Sequence, residues 1–219
     1  MIKRTKFNIA FLGGRKSGKT SIINAYLKNE FSFETLSTFG IDSSLKKHKF
    51  DNKEYKFKIF DISGEERFRS ISNTTIRLAD GIDLVFAIDN HNSYREIVDR
   101  IIYIEENVCL EKKVLFIIGN KIDVSGREVR KKQVEEFAKR INIKYFETSA
   151  YSRQGINETF EEIFKEVYDK NILYNNNKPI YQNNNNINYS SFCTNEIIKL
   201  NSIYNASFKL YPLNKYNRY

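Results

Sequence analysis

The sequence has few of the residues that form disulfide bonds or metal sites, and it has no apolar run long enough to span a membrane. Tryptophan is absent, proline occurs twice, and the two cysteines are Cys109 and Cys193. They have neither the spacing of a metal site nor the density of a disulfide framework, so they favour a reducing, intracellular compartment. No stretch approaches the roughly 18 consecutive apolar residues of a membrane span. The start, MIKRTKFNIA, lacks the long apolar region of a signal peptide.

No long block of charge of one sign stands out in the chain. The net charge is +9 over 219 residues, and +4 of it falls from residue 173 onward. The lysines are mixed with acidic residues, except in KKHK at 46–49 and REVRKK at 127–132. This dispersion is typical of a solvated surface and argues against a nucleic-acid-binding face.

Short apolar runs alternate with helical patterns as far as about residue 172. Two of the runs, IDLVFAID at 82–89 and KVLFIIGN at 113–120, are typical of strands buried on both faces. Strands separated by helices predict an α/β domain over residues 1–172, with a mostly parallel sheet and helices on both faces. The patterns predict strands at 6–12, 82–89, 113–120 and 144–149, a hairpin at 45–50 and 54–62, and helices at 19–28, 93–108, 129–140 and 156–171.

Residues 173–219 differ from this domain in composition. From Asn171 to the end the chain contains 14 asparagines, including NNN at 175–177 and NNNN at 183–186. Low-complexity composition of this kind cannot bury enough apolar surface to fold, so we predict a disordered tail.

The stretch GGRKSGKT at 13–20 matches the pattern G-x-x-x-x-G-K-[ST] between a predicted strand and a predicted helix. Its glycines let backbone N–H groups point at phosphate oxygens, and the helix adds its positive dipole end. The Lys19 ammonium can reach the β- and γ-phosphates, and the Thr20 hydroxyl can bind Mg²⁺. The loop predicts phosphate binding by Gly13, Gly14, Arg15, Lys16, Ser17, Gly18, Lys19, Thr20 and Ser21, without identifying the nucleotide.

Two further motifs, NKID at 120–123 and ETSA at 147–150, end predicted strands and point to the base. The Asp123 carboxylate can accept two hydrogen bonds from the N1–H and amine of guanine, whereas adenine would leave it unpaired. Asn120 is expected to face the other edge of the base, and the Lys121 stem to cover its face. Ser149 and the Ala150 backbone N–H complete the predicted base site, because open α/β sheets bind ligands at strand carboxyl ends.

In their order and spacing these motifs resemble those of the Ras-like small GTPases, most of all the Rab subfamily. The likeness covers roughly residues 6–170; STFGID at 37–42 resembles the first switch segment of that family, and DISGEERFRSIS at 61–72 resembles the second. The resemblance implies the three-layer P-loop GTPase fold, a six-stranded, mostly parallel sheet with one antiparallel strand and helices on both faces.

The resemblance also implies roles for single residues. Thr20, Thr38 and Asp61 would hold Mg²⁺, the Gly64 N–H would bind the γ-phosphate, and Phe31 would pack edgewise on guanine, the alternative being a plain core aromatic. The implied activity is that of a switch that binds GTP or GDP with Mg²⁺. Effectors, exchange factors and activating proteins would then read the two switch segments.

Two residues depart from the family pattern beside the γ-phosphate. Glu65 stands where the family usually has the glutamine that orients water, and an ionised carboxylate cannot donate a hydrogen bond to the phosphoryl group. Arg15 replaces a small residue. We hypothesise that Arg15 and Glu65 pair across the γ-phosphate; the alternative is two surface residues that do not touch. With Lys19 and Gly64 they form the predicted catalytic set, and we expect slow hydrolysis and weak stimulation by an arginine finger.

Two other functions remain open at this stage. A non-hydrolysing, GTP-bound scaffold shares all the binding motifs, whereas a P-loop kinase or ATPase is opposed by NKID and ETSA. The chain ends in YNRY, and neither Cys193 nor Ile2 fits a lipidation motif. We therefore expect a cytoplasmic protein, for which peripheral association with endomembranes, weak or through a partner, and no membrane role both stay open.

Overall fold

Strands and helices alternate along the chain in the computed structural model, which describes residues 4–33, 37–64, 69–111 and 113–176. In chain order the elements are β1 (Lys6–Leu12), α1 (Lys19–Lys28), β2 (Ile41–Phe50), β3 (Lys53–Ile62), α2 (Arg69–Leu78), β4 (Gly81–Ala87), α3 (His91–Asn107), β5 (Val114–Asn120), α4 (Lys131–Arg140), β6 (Lys144–Thr148) and α5 (Ile156–Asn176).

The strands form one six-stranded sheet in the order β2-β3-β1-β4-β5-β6. Only β2 runs antiparallel to its neighbour, and the other pairs are parallel. The β2–β3 hairpin turns at Asp51 and Asn52, whose φ angles of 48° and 61° are both left-handed. A two-residue turn of this kind matches the twist of the paired strands. The sheet confirms the predicted fold class.

Apolar side chains leave the sheet on both faces, as the near-continuous apolar strands predicted. Strand β4 is buried along its whole length. On one face, Phe7, Ile9 and Phe11 of β1 pack with residues of α1 and α5. On the other, Ala10 and Leu12 pack with residues of α2, α3 and α4. The helices on both faces hold the sheet as a rigid frame for the loops at its edges.

Strand β4, which is otherwise apolar, carries a buried acidic residue. Asp83 of β4 lies in register with Phe11 of β1 and Phe116 of β5, and it is 0% exposed. Among the described residues, neither of its carboxylate oxygens has a hydrogen-bond partner. Burial in this apolar layer raises the pKa of Asp83 well above its usual range.

The structure differs from the sequence predictions at several element boundaries. Helix α2 was not predicted, because RSISNTTIRL is rich in Ser, Asn and Thr, which are weak helix formers; it packs on the sheet through Ile76, which is 2% exposed. Strand β2 begins at Ile41, not at Leu45, because Ile41 pairs with Ile62 of β3. Helix α5 continues to Asn176, past the boundary predicted at 172.

The rest of the predicted tail, from residue 177 on, lies outside the described residues, so its disorder stays a prediction. Within the part of the chain that the structure does describe, none of the helices has the length and apolar character needed to cross a membrane.

Candidate functional site

The carboxyl ends of the parallel strands meet at one edge of the sheet, where the following loops surround a cavity of about 490 Å³. This is the position at which open α/β sheets bind ligands. Most of the predicted site residues line it: Arg15, Lys16, Gly18, Lys19, Thr20, Ser21, Phe31, Thr38, Gly64, Asn120, Lys121, Asp123 and Ala150. The remaining described ones, Gly13, Gly14, Ser17, Asp61 and Ser149, are hydrogen-bonded to lining residues.

The turn between β1 and α1 depends on glycine at both ends. Gly13 has a φ of 151°, and an added Cβ would lie 2.0 Å from the Val85 carbonyl oxygen. Gly18, the N-cap of α1, has a φ of 92°, and a Cβ there would lie 2.1 Å from Asn120 Nδ2. No other residue fits these two positions, so the glycines bring the backbone and the α1 N-terminus to the cavity.

The Lys19 side chain lies inside this turn and is only 6% exposed. Its Nζ donates to the carbonyl oxygens of Gly13 at 2.9 Å and Gly14 at 3.0 Å. Burial lowers the pKa of Lys19 to about 8, and the nearby Asp61 carboxylate partly opposes that shift. The site therefore contains a desolvated cation whose attraction for an anionic ligand is stronger than it would be in water.

Three oxygen atoms meet next to Lys19. Thr20 Oγ1 lies 2.5 Å from Asp61 Oδ2 and 3.0 Å from Thr38 Oγ1, and Thr38 Oγ1 lies 3.4 Å from the same Asp61 oxygen. The other carboxylate oxygen, Asp61 Oδ1, is buried and has no hydrogen-bond partner among the described residues. Burial raises the pKa of Asp61, against the hydrogen bond from Thr20 and the charge of Lys19.

Hydroxyl and carboxylate oxygens are the hard ligands that Mg²⁺ prefers, and an orphaned carboxylate oxygen is what a cation would satisfy. The described residues include no group of three His, Cys, Asp or Glu side chains suited to a metal. A site with a single carboxylate suits Mg²⁺, which usually keeps several waters and binds phosphate oxygens as well.

The two cations of the loop are exposed at the mouth of the cavity. Arg15 Nη2 donates to Ser37 Oγ at 3.4 Å, which ties the loop to the first switch segment. Lys16 has a left-handed φ of 60°. Gly64 approaches so closely that an added Cβ would lie 2.5 Å from Arg15 N. Glu65 lies outside the described residues, so its pairing with Arg15 stays a prediction.

At the other end of the cavity, Asp123 is held in place by its neighbours. Ser149 Oγ donates to Asp123 Oδ1 at 2.5 Å and accepts from the Ser152 backbone N–H at 2.9 Å. Lys121 Nζ pairs with Asp89 at 3.1 Å, which fixes the Lys121 stem on the cavity wall. The arrangement presents an oriented carboxylate that can accept two parallel N–H groups.

The Asn120 side chain is bonded to two neighbouring loops. It is 1% exposed, its Nδ2 donates to the Ser17 carbonyl at 3.2 Å, and its Oδ1 accepts from the Ala150 N–H at 3.2 Å. The amide therefore joins the phosphate loop to the ETSA loop, and its contact with the base edge stays a prediction. The Ala150 N–H donates to Asn120 in this structure, and its contact with a base carbonyl likewise stays a prediction.

The aromatic side of the cavity holds residues that sequence reasoning missed. Phe31 is partly buried and packs against the α1–α5 core, but its ring also contacts Phe33 and Tyr151, and all three line the cavity. Nothing in the sequence links Phe33 to Tyr151, which are far apart in the chain. The sequence indicated Asp89 only weakly as a site residue, through its position just beyond the end of a buried strand.

A glycine turn around a buried lysine, an oxygen cluster and an oriented carboxylate at one sheet edge define a P-loop nucleotide-binding protein of the α/β class. The model of the Ras family matches residues 8–169. The chain belongs to the Ras family.

Individual relatives place it among Rab-like members. It is 33% identical to the Ras-related protein Rab-13 of Bos taurus, over 79% of this chain and 87% of that protein. It is 34% identical to Rab-1 of Theileria annulata, over 79% of each chain, and 30% identical to Rab-11C of Dictyostelium discoideum, over 80% of this chain and 76% of that protein. These similarities confirm the predicted resemblance to Ras-like small GTPases of the Rab type.

Proposed function

We propose that the cavity binds GTP and GDP with Mg²⁺, and that the chain is a switch that hydrolyses GTP slowly in vesicle trafficking or signalling. Membership of the Ras family supports GTPase activity in general, and the Rab relatives support a role in trafficking. The observation that carries the proposal is the meeting of the Lys19 turn, the three-oxygen cluster and Asp123 at one cavity.

Discrimination of the base rests on Asp123. Its carboxylate accepts the N1–H and the exocyclic amine of guanine, and Ser149 Oγ holds it in orientation at 2.5 Å. Adenine has no amine at that position and an acceptor nitrogen in place of N1–H, so it would leave the carboxylate unpaired. An unmatched charged group in a binding site costs much more than a lost apolar contact.

The phosphate end couples the nucleotide to the switch. Thr20, Thr38 and Asp61 would hold Mg²⁺, which neutralises phosphate charge when bound. Thr38 belongs to the first switch segment, and Gly64 of the second lies against the phosphate loop. Both segments therefore sense whether a γ-phosphate is present, and partner proteins would read the difference.

Retained nucleotide is the direct test. Mass spectrometry of the nucleotide released from freshly purified full-length protein should find GDP, with GTP as a minor species. Retained GTP alone would favour the non-hydrolysing scaffold. Adenine nucleotide, or no capture of GTP and GDP with magnesium present, would overturn the proposal.

Slow turnover is supported by Arg15, which lies at the phosphate end of the cavity and reaches Ser37, and by Glu65 in place of glutamine. Single-turnover hydrolysis by wild type, Arg15→Gly, Glu65→Gln and the double variant tests it, with Lys16→Ala as a control in the same loop. We expect Glu65→Gln to hydrolyse faster than wild type. Strictly additive effects on the rate barrier would argue against the Arg15–Glu65 pair.

We propose an intracellular location with peripheral association with endomembranes, on the ground of the Rab relatives. Effectors, exchange factors and activating proteins would bind the segments at 37–42 and 61–72. Partners captured by the protein loaded with a non-hydrolysable GTP analogue, and absent with GDP, would support this assignment. Identical partners in both states would contradict it.

A further inference from the structure

Three aromatic rings from two distant parts of the chain contact one another at the base end of the cavity. The ring centroids of Phe31 and Phe33 are 4.9 Å apart, those of Phe31 and Tyr151 5.3 Å, and those of Phe33 and Tyr151 5.4 Å. Two of these pairs meet edge to face, at 90° and 71°. Each ring therefore contacts the other two, at distances typical of favourable aromatic pairs.

The burial of these rings is uneven. Phe33 is 83% exposed and Tyr151 56% exposed, the first and fourth most exposed of the large hydrophobic side chains described. Phe31, in contrast, packs against the core. Core packing accounts for Phe31 but not for the two outer rings, which contact each other and Phe31. Exposed apolar surface gathered at a cavity mouth is a feature of ligand-binding sites.

The rings line the same cavity as the residues that recognise the base. Tyr151 directly follows Ala150, whose N–H bonds to Asn120, and Asp123 and the fixed stem of Lys121 complete that end. A planar heteroaromatic base there would have an oriented carboxylate for its polar edge and π-faces for its apolar surface. Base–aromatic stacking adds affinity without depending on the phosphates.

We propose that Phe33 and Tyr151, together with Phe31, form an aromatic clamp that closes over the base end of a bound guanine nucleotide and slows its release. The inference rests on the proposed function, and it adds two residues whose role is to retain the nucleotide. Because the rings line the base end of the cavity, their contacts with the base would be lost when the nucleotide leaves. The clamp contacts the base end, so it slows release of GDP and GTP by similar factors.

Release of radiolabelled GDP and of a non-hydrolysable GTP analogue from the full-length protein tests the clamp. Phe33→Ala and Tyr151→Ala should each speed release about 10-fold, from the typical strength of one base–aromatic stack. Association rates should change little, because mutational effects on affinity fall mostly on dissociation. The double variant should show less than the product of the single effects, because the rings are in contact.

Conservative variants separate the clamp from a merely structural role. Tyr151→Phe and Phe33→Tyr keep the rings and should release nucleotide within about 2-fold of wild type. Tyr103→Ala removes an exposed ring on α3 that does not line the cavity, and should have no effect.

Failure of the clamp and failure of the proposed function would give different results. If wild type holds GDP but both alanine variants release it at the wild-type rate, the clamp is wrong and the proposed function stands. If wild type captures no guanine nucleotide, the proposed function fails and the clamp with it. Faster release of GDP but not of the GTP analogue would also contradict the clamp, because it would place the effect at the phosphates.

Discussion

Polar side chains buried at the cavity and the carboxylate buried in the sheet interior beneath it differ in their hydrogen bonding. At the cavity, Lys19, Asn120 and Ser149 are at most 6% exposed, and each is hydrogen-bonded to a neighbouring loop. In the interior, Asp83 is 0% exposed, and neither carboxylate oxygen has a partner among the described residues. Polar burial at the cavity organises a binding surface, whereas polar burial in the interior costs stability with no compensating bond.

Two buried polar atoms near the cavity also have no partner among the described residues, Asp61 Oδ1 and Ser17 Oγ. The first belongs to the proposed cation site, where a metal would satisfy it. The second is a hydroxyl, whose burial costs far less than that of an ionised carboxylate. Asp61 nevertheless accepts a hydrogen bond from Thr20 and lies near the Lys19 cation, whereas neither oxygen of Asp83 has a partner among the described residues. Substitutions on each side should therefore separate nucleotide affinity from folding stability.

The largest expected effect is at Lys19. Lys19→Met removes the buried cation and leaves the Gly13 and Gly14 carbonyl oxygens without their donor. Affinity for GDP should fall by at least about 100-fold, because charge-assisted hydrogen bonds to the phosphates are lost. Isothermal titration calorimetry measures the loss, with the exposed Lys165→Met on α5 as the control. A change of less than 3-fold would show that the buried lysine is structural.

Asp123→Asn should come next. The amide presents a donor to the donor edge of guanine, so GDP binding should weaken by roughly 10- to 100-fold, from the usual worth of hydrogen bonds to a charged group. The thermal midpoint without nucleotide should not change, because Asp123 is exposed in the cavity. Competition between GDP and ADP is the measurement, with Asp169→Asn on α5 as control. Unchanged preference for GDP would place base recognition elsewhere.

Asp83→Val should change folding stability and leave nucleotide binding unchanged. Replacing the unpartnered carboxylate by a β-branched apolar side chain within a buried strand should raise the free energy of unfolding at pH 7 by on the order of 1–3 kcal/mol. The release rate of GDP should not change, because Asp83 does not line the cavity. Denaturant unfolding with and without nucleotide measures both quantities.

The effect of the same substitution on folding stability should depend on pH. The pKa of Asp83 is raised in the folded state, so above about pH 4, where the carboxyl ionises in the unfolded chain, the folded state binds the extra proton. The stability of wild type relative to Asp83→Val should therefore fall as the pH rises from about 4 toward 7. A stability difference that is constant over this range would show that Asp83 titrates normally.

Ser149→Ala should have the smallest effect. It removes the hydroxyl that orients Asp123 and accepts the Ser152 N–H, so the carboxylate stays but loses one fixed partner. GDP affinity should weaken by only about 3- to 10-fold, from the net worth of one hydrogen bond. Stopped-flow nucleotide binding gives the value, with Ser152→Ala, which keeps its backbone N–H, as control. An effect as large as that of Asp123→Asn would make Ser149 a direct contact to the base.

Local signals predicted the parts of the fold that depend on neighbours in the chain. The bounds of β1 and α1 agree with the predicted ranges because a β-branched and aromatic run meets a glycine turn there. Helix α2 and the start of β2 could not be predicted, because packing of Ile76 on the sheet and pairing with β3 override weak local preferences.

The candidate site likewise contains residues that the sequence predicted and contacts that it could not predict. The phosphate loop, the Mg²⁺-ligand candidates and Asp123 were predicted as individual residues from motif and resemblance. The bonds of Asn120 to two loops could not be predicted, nor could the Lys121–Asp89 pair or the contact between Phe33 and Tyr151. Each of these joins residues far apart in sequence, and spacing along the chain carries no information on such contacts.

The sequence by itself determined the class of protein, because a glycine turn before a lysine and a carboxylate after a buried strand have chemistry that depends on residue type and local order. The tertiary structure decided how those groups are held: which amide links the loops, which rings close the base end, and which carboxylate is left unpaired between phenylalanines. The reason is that hydrogen bonding and burial depend on what the packed sheet brings together, and a linear pattern does not specify those neighbours.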